Sequence, residues 1–128
     1  MSLTSTDGST WTAANVTAKA GLRGVTWGGQ FVAVGNFGAI LTSPDGSKWA
    51  VQNSGITEKN LNQVGYGNGF YVIAGQTGTI LTSTDGTVWT ARSSGTTKNL
   101  EGVAFGRNTF LVVGGDDISP IILQSDRL

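Results

Sequence analysis

Ser83-Thr84-Asp85-Gly86-Thr87-Val88-Trp89 is one of three near-copies of the same seven residues in a chain of 128. The others are Ser5-Thr6-Asp7-Gly8-Ser9-Thr10-Trp11 and Ser43-Pro44-Asp45-Gly46-Ser47-Lys48-Trp49, and each follows Leu-Thr. The unit is therefore L-T-S-x-D-G-x-x-W, with its aspartates 38 and 40 positions apart. Leu-Thr-Ser alternates as a strand does. Asp offers a carboxylate to nearby backbone N–H groups, Gly can take a positive φ, and Trp opens the returning strand. A repeat close to forty residues implies stacked or circular β architecture.

The flanking segments repeat too. Gly21-Leu22-Arg23-Gly24-Val25-Thr26-Trp27-Gly28 aligns with Asn60-Leu61-Asn62-Gln63-Val64-Gly65-Tyr66-Gly67 and with Asn99-Leu100-Glu101-Gly102-Val103-Ala104-Phe105-Gly106, in steps of 39 residues. Short apolar runs follow at 31–35, 70–75 and 110–114, each bounded by glycine, as suits a strand buried on both faces. Glycine-rich turns separate these two segments, third strands are expected at 39–43, 79–83 and 121–125, and fourth strands at 48–52 and 88–93. The expected fold is all-β, with three four-stranded antiparallel meanders and no helix. One domain spans 1–128, with repeats at about 3–40, 41–80 and 81–122.

S-x-D-G-x-x-W resembles the Asp-box of sialidase-type repeats, with Gly following Asp directly. The whole unit is similar to bacterial β-propellers built from such boxes, including those of the photosystem II assembly factor type. The resemblance implies a propeller of four-stranded blades in which the box is a structural turn. Asp7, Gly8, Asp45, Gly46, Asp85 and Gly86 are then turn residues, and Trp11, Trp49 and Trp89 are aromatic core between blades, as are Trp27, Tyr66 and Phe105 nearer the axis.

Three blades are too few to close a ring that usually needs about four to eight. The third repeat lacks the Gly-x-x-Trp and the fourth strand, which are what residues 3–16 supply. Strand 11–16 is therefore expected to pair with strand 121–125, completing the last blade in trans and hiding open sheet edges. A homodimer of six blades is the favoured partner arrangement, with a larger ring or a fragment of a longer propeller as alternatives. Leu3-Thr4-Ser5 and Leu123-Gln124-Ser125 both correspond to the same third strand, so one of them should lie outside the ladder.

Eight basic and eight acidic side chains cancel, and no run of Lys or Arg occurs, which disfavours nucleic acid as a partner. No apolar stretch nears the roughly 20 residues that span a bilayer, and the first residues lack the pattern of a signal peptide. The chain reads as soluble, with no membrane partner and its compartment undetermined.

Chemistry is sparse. Without His or Cys, neither a Ser-His nor a Cys-His nucleophile nor the usual zinc sites can be built. The resemblance implies an arginine cluster and a Tyr-Glu pair in true sialidases. Here Arg23, Arg92, Arg107 and Arg127 fall at non-equivalent positions, as do Glu58 and Glu101. No catalytic residue, metal or cofactor is expected. The function expected is a non-catalytic scaffold or binding module, read as an amplified, designed or fragment-derived propeller; rival readings are a glycan-binding lectin and a protein-assembly factor that binds a partner on one face. Any ligand should meet the loops between blades (17–21, 54–60 and 95–99) and those between second and third strands. The ligand-face candidates are Arg23, Asn36, Phe37, Asn62, Gln76, Glu101, Asp116 and Asp117, the last two in an enlarged loop at 115–120.

Overall fold

A computed structural model describes residues 1–14, 16 and 20–126. It is all-β, with no α-helix among the described residues. Strands β1 (Ser2–Thr4) and β2 (Thr12–Ala14) form a two-stranded hairpin. A first sheet follows as the meander β3 (Leu22–Trp27), β4 (Phe31–Gly35), β5 (Ile40–Ser43) and β6 (Ala50–Gln52). The second sheet repeats it with β7 (Leu61–Gly67), β8 (Phe70–Gly75), β9 (Ile80–Ser83) and β10 (Thr90–Arg92). The third sheet has β11 (Leu100–Gly106), β12 (Thr109–Asp116) and β13 (Ser119–Gln124). All neighbouring strands are antiparallel. Single 3-10 turns at Asn36–Gly38 and Gln76–Gly78, which the sequence did not announce, join the second and third strands of the first two sheets.

The sheets pack face to face in chain order, and glycine makes the approach close. A side chain at Gly28 would collide with the Tyr66 ring, and one at Gly67 with the Phe105 ring. Each first strand thus presents an aromatic to the preceding sheet and a bare backbone to the following one. Between the first and second sheets Val32, Val34, Ile40, Leu61, Val64, Tyr71, Ile73 and Leu81 form the main core, with Tyr66 and Trp89 against it. A smaller core of Ala74, Leu100 and Val112, flanked by Ile80, Val103, Ile121 and Leu123, lies between the second and third. Tyr71 donates its hydroxyl proton across the first interface to the Gly28 carbonyl at 2.6 Å, and burial raises its pKa.

Several expectations change. Within the single chain residues 12–14 pair with 2–4, because the box at 5–11 folds its own hairpin; residue 15 of the strand expected to pair in trans lies outside the described residues. Both copies of the third strand are therefore in ladders, of different sheets. The loop at 115–120 is no loop. The ladder continues through Gly115↔Pro120 and Asp116↔Ser119, and the Asp116 carboxylate accepts the Ile118 N–H, so Asp117 and Ile118 alone make the turn. The second strands of the first two sheets are covered on both faces, as their apolar runs imply, whereas β12 alternates between buried and exposed.

Candidate functional site

The three boxes have the same local geometry. Gly8, Gly46 and Gly86 take φ of 78°, 85° and 78°, values that a side chain would strain. Their N–H groups reach the hydroxyls of Ser5, Ser43 and Ser83 at 2.7, 2.8 and 2.9 Å. One carboxylate oxygen of each Asp accepts two further N–H groups, as in Asp85 from Thr87 at 2.9 Å and Val88 at 3.0 Å. These bonds hold the carboxyls below their ordinary range: the N–H of Thr10 and then Ser9 at Asp7, of Ser47 and then Lys48 at Asp45, and of Val88 and then Thr87 at Asp85. A carboxylate so occupied orders a turn. It is not poised for acid–base work.

The boxes differ in what covers them. Ser43, Gly46, Ser83 and Gly86 are buried, whereas Gly8 is exposed with nothing near it. Trp49 and Trp89 are half-buried, their indole N–H groups bonded to the Gly46 and Gly86 carbonyls at 3.0 Å. In the single chain Trp11 is 57% exposed and Trp27 53%, unlike Trp49, Trp89 and Tyr66 at equivalent repeat positions. The reason is positional: among the described residues only the two-stranded hairpin stands beyond the first sheet's outer face, and it covers Val25, Phe31 and Ala33 in part. A recess of about 490 Å³ remains between that face and the hairpin, reached by Leu3, Trp11 and Trp49.

The other end of the stack is its complement. The outer face of the third sheet carries Ala104 and Gly106 on β11 beside Leu111, Val113 and Ile122, all three exposed. Gly106 corresponds to Gly28 and Gly67, yet nothing lies within 4 Å of where its Cβ would be. The stack thus displays an uncovered aromatic at one end and an uncovered glycine at the other.

Between the second and third sheets a groove of about 450 Å³ is walled by Phe70, Val72, Ile80, Phe110, Val112 and Leu123. It matches the place that the box at 83–89 fills at the first interface. There Gly86 lies against Gln30 and Val32, the counterparts of Phe70 and Val72, and Trp89 stands beside Tyr71, the counterpart of Phe110.

Most of the residues expected to meet a ligand are instead engaged in bonds that brace the loops and strands. Asn36 accepts from the Arg23 guanidinium, the Phe37 N–H donates to the Asn60 side chain, and Gln76 accepts the Asn60 N–H at 2.8 Å. Thr77 repeats the Phe37 pattern with Asn99. Asn60 and Asn99 occupy equivalent positions ahead of β7 and β11, the signal by which the sequence could have marked them as loop clamps. Arg23, Asn62 and Glu101 are each the extra residue of a β-bulge, a device that re-aims a side chain. Asn62 is buried and donates to the Leu100 carbonyl at 2.8 Å; Glu101 is exposed. Asp116 pairs with Lys98 at 3.2 Å, which lowers its pKa, while Asp117 sits exposed in the turn. Among the described residues no three His, Cys, Asp or Glu side chains converge as a metal site would require. Of the loops between sheets, residues 17–19 lie outside the described residues, as does Arg127. No helix among them is long and apolar enough to cross a membrane. No protein-family model and no curated protein matches this chain.

Proposed function

We propose that this chain is a non-catalytic β-propeller scaffold or binding module whose ring is completed by further copies of itself, two chains giving six blades. The observation that carries this reading is the pairing of unmatched ends. Trp27 over Gly106 of a second copy would be another instance of the contact that Tyr66 makes with Gly28 and Phe105 with Gly67. A head-to-tail contact of this type generates closed rings when its rotation closes. It would also cover Leu111, Val113 and Ile122, an apolar face unusual for free surface. The absence of His and Cys from the sequence agrees with a non-enzymatic role. Glycan binding would draw on the same exposed tryptophans, but their match to glycine on the opposite face favours self-association.

The test is solution mass by light scattering over a dilution series. Two chains give about 26 kDa, from 13.2 kDa each. A mass of one chain at every concentration would end the ring reading.

A further inference from the structure

We propose that the groove between the second and third sheets is the seat of Trp11 from a second copy, whose strand β2 then lies along the free edge of β13. This rests on the self-association proposed above and adds the site at which chains interlock.

Three independent features of the molecule converge on it. The groove presents apolar side chains from both walls beside Thr82, Arg92 and Gln124, and its volume of about 450 Å³ lies where the box tryptophan of the third sheet would stand. The edge of β13 away from β12 carries no strand among the described residues, while β5 and β9 carry β6 and β10 at that edge through three residue pairs each. An unpaired edge beside an apolar groove is a ready acceptor for a strand. The donor is on the same chain but at the wrong end. Gly8 has an empty surrounding, Trp11 is largely in water, and Thr12–Ala14 pair only with β1.

The register follows from the second sheet. Thr90↔Thr82 and Ala91↔Leu81 there become Thr12↔Gln124 and Ala13↔Leu123 between copies. Ser125 is the repeat counterpart of Ser43 and Ser83, and its hydroxyl, which now accepts the Phe110 N–H at 2.9 Å, would have to take the Gly8 N–H as well. Strand β1 must leave β2 for this to occur. The three pairs it gives up are replaced by three with β13. What the exchange gains is the burial of Trp11, which is the side-chain type that most often anchors an interface.

The test uses the absence of native cysteine. Thr12→Cys and Gln124→Cys, both at exposed positions, are co-expressed as separate chains and oxidised. We expect a disulfide-linked pair of chains that neither variant forms alone. A mass of two chains without the cross-link would overturn the interlock and leave self-association standing. A mass of one chain would remove both. As a second measurement, Trp11→Ala should raise the concentration at which the assembly dissociates by about 100-fold. Because Trp11 is exposed in the single chain, the variant should fold, and an unchanged dissociation midpoint would count against the site.

Discussion

The interface between the first and second sheets is closed, and the one between the second and third is open on its outer side. Both use the same backbone plan, the same glycine-under-aromatic contact and the same third-strand serine. They differ because the first has Trp89 and β10 to fill its outer half and the second has no counterpart among the described residues. The box turn therefore forms on its own, while the value of its tryptophan depends on which sheet lies next to it. The bare box at residues 5–11 makes the same point, since its serine and aspartate bonds are present while Gly8 and Trp11 stay exposed.

Substituting the three box tryptophans one at a time should separate turn formation from burial most strongly. Trp89→Ala removes a ring packed on the main core and is expected to cost about 3 kcal/mol in a urea titration. Trp49→Ala, covered by the hairpin alone, should cost less, and Trp11→Ala least when measured at concentrations where single chains dominate. Equal losses at all three would mean that the boxes are energetically alike despite their surroundings.

Next come the glycines. Gly67→Ala forces a methyl group into the Phe105 ring and is expected to cost about 1–3 kcal/mol. Gly106→Ala meets open space and should stay within about 0.5 kcal/mol in the single chain. In the assembled form its effect should approach that of Gly67→Ala, and if it leaves assembly untouched, Trp27 does not dock there.

The serines sharpen the comparison further. Ser83→Ala leaves the buried Gly86 N–H without its acceptor, for a loss of about 1–2 kcal/mol by chemical unfolding. Ser5→Ala exposes the Gly8 N–H to water and should cost clearly less. A reversed order would show that the free hairpin, not the covered box, relies on this bond.

The smallest effect concerns acid. Because folding lowers the pKa of the box aspartates, their contribution is complete above the unfolded value of about 3.8. It is lost as the pH falls from there through the lower folded value. Thermal melts taken from about pH 5 to about pH 2.5 should decline, and Asp85→Asn should flatten that decline. An identical acid limb in the variant would remove Asp85 from the account.

Much of the strand order was legible from residue spacing. The alternation of Leu-Thr-Ser, the bounded apolar runs and the glycine turns each report a backbone preference that acts within a few residues. The all-β meanders follow from them, and the turn role of Asp7, Asp45 and Asp85 follows from bonds no longer than three residues. The candidate ligand face was less legible. Asn62, Asn36 and Gln76 looked like free polar groups, and only tertiary contacts showed that Asn62 serves the Leu100 carbonyl of the next sheet, Gln76 the Asn60 N–H and Asn36 the Arg23 guanidinium. Asp116 and Asp117 looked like a loop because a two-residue insertion resembles one, whereas cross-strand pairing absorbed it into a longer hairpin.

Periodicity makes Trp11, Trp49 and Trp89 identical, as it does Trp27, Tyr66 and Phe105, since a repeat encodes the same local conformation each time. Burial is a property of what lies opposite, and a neighbour some forty residues away is chosen by packing. The chain's own chemistry thus set the turns, the strands and the identity of the contacts available. Tertiary structure decided which of those contacts were made, because removing apolar surface from water requires two faces and the ends of this stack are covered in part or not at all.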